Sequence, residues 1–98
     1  MFVHTVLFWL KPDLTHDQHT KFLAGLNSLL TIPSVVHGSV GTPASTDRPV
    51  IDRTYSYGLL TVFTDLDGHD VYQKDPIHLA FLKDCKEFWT RVQIYDFE

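Results

Sequence analysis

Phe2-Val3-His4-Thr5-Val6-Leu7-Phe8-Trp9-Leu10-Lys11 opens the chain with a run rich in Phe, Val, Thr and Trp, residue types that favour an extended strand. Period-two alternation puts Phe2, His4, Val6, Phe8 and Leu10 on one face and Val3, Thr5, Leu7 and Trp9 on the other. Both faces are apolar. An antiparallel sheet with helices on one side normally turns polar residues to its other side. A chain of 98 residues has no room for a second helical layer, so the second face needs another cover. The simplest cover is the same face of a second copy, which predicts a homodimer whose two sheets pack into a barrel.

Outward from this strand, Pro12-Asp13 turns the chain and Thr15-x-x-Gln18 matches a capping box, in which both side chains satisfy free amides of a first helical turn. Phe22, Leu23, Leu26, Leu29 and Leu30 then recur at helical spacing until Ile32-Pro33. Val35–Gly41 reads as a short strand, and residues 42–49 have loop composition. A second long strand is predicted over Thr54–Phe63, alternating Tyr55, Tyr57, Leu59, Thr61 and Phe63 with Ser56, Gly58, Leu60 and Val62. Asp65 or Asp67 caps a short helix through Gln73. Asp75-Pro76 opens another through about Phe88, with Ile77, Phe81, Leu82 and Cys85 inward. The last strand, Trp89–Phe97, alternates Trp89, Arg91, Gln93, Tyr95 and Phe97 with Val92 and Ile94. The order β-α-β-β-α-α-β predicts an α+β fold, a ferredoxin-like sandwich with an antiparallel sheet, as a single domain over residues 1–98.

Composition narrows the partners. Eight Lys+Arg against twelve Asp+Glu leave a net charge of −4, which argues against nucleic acid and anionic membranes. No apolar run approaches the roughly 18 residues of a membrane span, and the N-terminal strand lacks the basic flank and cleavage site of a signal peptide. Cys85, the single cysteine, fits a reducing, cytoplasmic setting. The expected partners are a second copy and a small hydrophobic ligand.

Six histidines lie at 4, 16, 19, 37, 69 and 78. His16 and His19 have the i, i+3 spacing of a metal pair but no third ligand near them, and His37 and His69 have no constellation, so both are expected at the surface. No metal site and no cofactor are expected. His4 interrupts an apolar face, where a polar group is costly without a partner. His78 falls near the third position of the helix opened by Asp75-Pro76, where the dipole disfavours protonation. Tyr72, six residues earlier, offers a phenol to a developing oxyanion. A neutral imidazole and a phenol beside an apolar pocket suffice for proton transfer at an activated carbon. His78, Tyr72 and His4 are the candidate catalytic residues.

His4-Thr-Val-Leu-Phe8-Trp-Leu-Lys11, Tyr72-Gln-Lys-Asp-Pro76-Ile-His78 and Ile94-Tyr-Asp-Phe97 together resemble the stress-responsive dimeric α+β barrel family over essentially the whole chain. The resemblance implies a ferredoxin-like protomer, a homodimer closed through its sheets and a pocket between sheet and helices. Most members have no assigned reaction. In a plant branch that cyclises linear polyketides without a cofactor, the counterparts of Tyr72 and His78 act as the acid/base pair, with that of His4 nearby. Where that branch has a tyrosine on the first helix, this chain has Leu26. Apolar strands lined with Phe2, Phe8, Tyr57, Phe63 and Trp89 point to a small hydrophobic or aromatic ligand. The alternatives are cofactor-free lyase or cyclase chemistry with His78 as base and Tyr72 as donor, a structural stress protein, and, by fold analogy alone, a monooxygenase-like barrel.

Overall fold

In the computed structural model, which describes all 98 residues, β1 (Phe2–Leu10) lies at the centre of the sheet. The chain continues through α1 (His16–Leu29), β2 (His37–Gly41), β3 (Tyr57–Phe63), α2 (Leu66–Lys74), α3 (Pro76–Cys85), a 3₁₀ turn (Lys86–Phe88) and β4 (Trp89–Phe97). All strand pairs are antiparallel, in the order β2-β3-β1-β4. This is the ferredoxin-like α+β sandwich that the element order predicts.

Local chemistry explains the helix starts. Thr15 Oγ1 accepts from the Gln18 amide while Gln18 Oε1 accepts from the Thr15 amide, completing the capping box. Asp65 accepts from the Gly68 amide at the start of α2. Asp75 closes α2 and caps α3 by accepting from the Ile77 amide, with Pro76 just inside.

All three helices meet the same face of β1. Phe22 of α1 and Phe81 of α3 pack on Phe8, with ring centroids 5.2 and 6.2 Å away, and His69 of α2 packs on Phe2 at 4.7 Å. Phe2, His4, Val6 and Phe8 are buried there, while Val3, Thr5, Leu7 and Trp9 are half-buried on the opposite face. Beyond the sheet itself, Thr54 and Tyr55 reach over its Trp9 end. The molecule is 17 Å across its thinnest axis, one sheet and one helical layer.

Several boundaries move. Helix α1 stops at Leu29, before Pro33, and Leu23 points outward. Strand β2 begins at His37 rather than Val35, because Val35 is held in a turn by the Ile32 carbonyl. Strand β3 begins at Tyr57 rather than Thr54, since the Asp52 carboxylate ties Thr54 into a turn through both its amide and hydroxyl. The register of β1 and β4 shifts between Trp9 and Leu10, so Trp9 faces Arg91 whereas Leu10 faces Trp89. That bulge puts Trp89 on the helix side, against Phe8 and Phe81, and not on the face of Arg91 as unbroken alternation predicts.

Candidate functional site

The β1–β4 register makes the site. His4 pairs with Asp96, Val6 with Ile94 and Phe8 with Val92, so all six share the helix-side face. The helices leave the β4 edge of that face uncovered, and Val92 and Ile94 remain 40% and 45% exposed. Between this edge and the helices lies a cavity of about 210 Å³. Its wall includes Val6, Phe8, Leu59, Phe81, Trp89 and Ile94.

The same wall holds His4, Tyr72 and His78, with Gln73 beside them. Strand alternation turns His4 inward, the inner face of α2 carries Tyr72, and the first turn of α3 carries His78. The Tyr72 ring centroid lies 4.8 Å from His78 and 6.1 Å from His4. The three candidates drawn from the sequence therefore sit around one cavity.

Burial acts on them in opposite senses. It holds the imidazole of His78 below the usual histidine pKa, and the neighbouring His4 and His69 lower it further. His78 Nδ1 is buried without a hydrogen-bond partner. Burial also lowers His4, against the raising effect of Asp96, whose Oδ1 lies 2.5 Å from His4 Nδ1. It pushes the Tyr72 phenol well above its ordinary value, against a smaller opposing hydrogen bond with Thr61. At neutral pH two imidazoles are uncharged and the phenol keeps its proton. That is the protonation state of an available base and an available donor.

The structure corrects the placement of His69, which is only 9% exposed. Helix α2 folds back over the start of β1, and the His69 ring stacks among Phe2, Phe63 and His4, with the His4 centroid 4.8 Å away. Its i, i+3 spacing from Tyr72 was the sequence signal for a shared inner face. His4, His69 and Asp96 each offer a donor atom within 4.8 Å of the others. Asp96 and Gln73 carry no comparable local signal. His16 and His37 are exposed, and His19 faces the Tyr57 hydroxyl at 3.3 Å.

The profile of the stress responsive A/B barrel domain matches residues 2–98. No curated protein matches the chain. Among solved structures, a Dabb family protein with a ferredoxin-like fold from Mesorhizobium loti is 26% identical, with a TM-score of 0.79 over 99% of this chain and 94% of that one. A dimeric ferredoxin-like protein of unknown function from Thermobifida fusca is 23% identical, with a TM-score of 0.79 over 98% and 88%. The hydroxynitrile lyase of Passiflora edulis is 18% identical, with a TM-score of 0.79 over 98% and 90%.

Proposed function

Because the chain belongs to the stress responsive A/B barrel family, we propose that its cavity takes a small apolar or aromatic carbonyl compound and moves a proton on it with side chains alone. The observation that carries this reading is the single cavity bordered by His4, Tyr72, His78 and apolar side chains. A dry apolar cavity of roughly 150 Å³ holds benzene, so about 210 Å³ suits one ring with a short substituent.

Neutral His78 takes the proton from a carbon next to the ligand's carbonyl. Protonated Tyr72 donates a hydrogen bond to the oxygen on which charge develops. His78 then returns the proton to carbon in enolisation or to a leaving group in elimination. In aldol-type closure the enolate carbon attacks a second carbonyl carbon, whose π bond opens to an alkoxide, and His78 delivers the proton to that oxygen. His4, hydrogen-bonded to Asp96, positions the polar end of the ligand. A hydroxynitrile lyase on the same fold supports such chemistry by analogy of fold alone. A second reading, binding without turnover, is favoured by the near-complete burial of Tyr72, 1% exposed.

The proposal includes a homodimer closed through the open sheet face, supported by the apolar Val3, Leu7 and Trp9 beside the exposed Tyr95 and Phe97. It also includes a cytoplasmic setting and a role in stress. A free, buried Cys85 is consistent with the former.

A thermal-shift panel of single-ring aromatic aldehydes and ketones, followed by turnover assays on the stabilising compounds, tests the reading. His78→Ala is expected to remove at least ~10²-fold of turnover. Stabilisation without turnover in the unaltered protein selects the binding reading. The absence of any stabilising compound defeats both.

A further inference from the structure

His4, His69 and Asp96 form a group that proton transfer by His78 and Tyr72 does not require as a set. We propose that these three side chains bind a divalent transition ion of the zinc class at the edge of the cavity.

The donor set is two imidazoles and one carboxylate, a combination that suits borderline ions such as Zn²⁺ and leaves at least one coordination position open. Bonds of about 2.0–2.1 Å place tetrahedral ligand atoms about 3.3 Å apart. Here the three donors already lie within 4.8 Å of one another, and the closest pair is 2.5 Å apart. Shifts of about 1.5 Å or less convert the present spacing to a coordination shell. The backbone that carries two of the ligands is fixed by the sheet, since His4 and Asp96 are register partners in β1 and β4.

Two further features suit a metal. Asp70 Oδ1 lies 3.2 Å from His69 Nδ1, and the Gln73 amide lies 3.1 Å from His69 Nε2. In this arrangement Nδ1–H donates to the carboxylate and Nε2 carries the lone pair, as in carboxylate–histidine–metal triads. Gln73 is the flexible group an ion displaces. The Asp96 side chain is 40% exposed while that of His4 is 4% exposed, so the carboxylate gives the ion a path from solvent to the inner imidazoles. Because His4 also lines the cavity, the open position offers a Lewis acid to an oxygen of whatever the cavity holds. The ion would take the place of the His4–Asp96 hydrogen bond that positions the ligand in the proton-transfer reading, so the two readings share these side chains, and metal binding is tested without any turnover assay.

Chelator-stripped protein titrated with zinc chloride by calorimetry, and with Co²⁺ followed by visible absorption, tests the site. One ion per chain is expected to bind at micromolar metal, with the absorption of cobalt held by nitrogen and oxygen. His69→Phe keeps a ring against Phe2 and Phe63, and Asp96→Asn keeps the shape of an exposed side chain; circular dichroism checks that both fold. Each is expected to weaken zinc by at least about tenfold, with His16→Ala unchanged. Failure to bind zinc at micromolar concentration, unchanged affinity in both site variants, or loss of binding in His16→Ala instead overturns the proposal.

Discussion

At the scale of single residues, Tyr72 and His78 share a cavity in which burial raises the pKa of one and lowers that of the other. Desolvation penalises whichever form is charged, so one environment yields both a retained proton and an open lone pair. Tyr72→Phe keeps the ring packing and removes only the hydroxyl. It is expected to leave the unfolding midpoint nearly unchanged while weakening ligand stabilisation or turnover, and a large loss of stability instead would assign the hydroxyl a structural task. The lowered histidines also set a pH dependence. The folded pKa values of His4 and His78 lie below the unfolded value of about 6.5, so the unfolded chain binds more protons in the window between them. Stability is therefore full above about pH 6.5 and lost as pH falls through that window. Urea midpoints at about pH 7.5 and about pH 5 measure it, and His78→Gln is expected to flatten the slope; equal midpoints in the unaltered protein contradict the claim. Sequence alone singled out His4, Tyr72 and His78, each at an unusual place in a local pattern. It did not reveal Asp96, because an acidic residue near a chain end has no local peculiarity until the register sets it against His4.

At the scale of elements, strands and helices were legible because their signals are local. The capping box of α1 and the shared Asp75-Pro76 junction occur where the sequence puts them. Thr15→Ala is expected to cost about 1 kcal/mol, the usual worth of an N-cap, measurable by denaturant unfolding. Where α1 approaches α3, contact rather than helix propensity governs the residue. A Cβ on Gly25 would meet Phe81 Cδ1 at 2.9 Å and Cys85 Sγ at 3.1 Å. Glycine in a helix costs up to about 1 kcal/mol against alanine, yet overpacking a core typically costs about 1–3 kcal/mol. Gly25→Val, which gains little helix propensity, is expected to lose about 2 kcal/mol; a variant as stable as the parent would show that α3 can move aside. The bulge at Trp9 and Leu10 was not legible, since the alternation of Trp89–Phe97 contains nothing to say where its partner slips.

At the scale of the molecule, the unexplained feature is the open face of the sheet. Val3, Leu7 and Trp9 lie there half-buried, Tyr95 and Phe97 exposed, and the Arg91 guanidinium sits 4.1 Å from the centre of the Trp9 ring. A chain this small buries only about 60–65% of the surface its unfolded form exposes, so covering this face with a second copy adds core that one copy lacks. Leu7→Arg, which sets a charge at the middle of that face, is expected to give a monomer by light scattering where the parent gives a dimer. A parent that scatters as a monomer at micromolar concentration removes the dimer from the proposal.

The sequence by itself determined which segments are strands and helices, their order, and the two apolar faces of β1, because periods of two and 3.6 residues and the capping side chains act over a few neighbours. The tertiary structure alone decided which side chains meet. His4 and Asp96 are 92 residues apart along the chain and 2.5 Å apart in space, and His69 joins them only because α2 docks on the start of β1. Register and docking are settled by burial summed over the whole sheet face, a quantity that no local stretch of sequence contains.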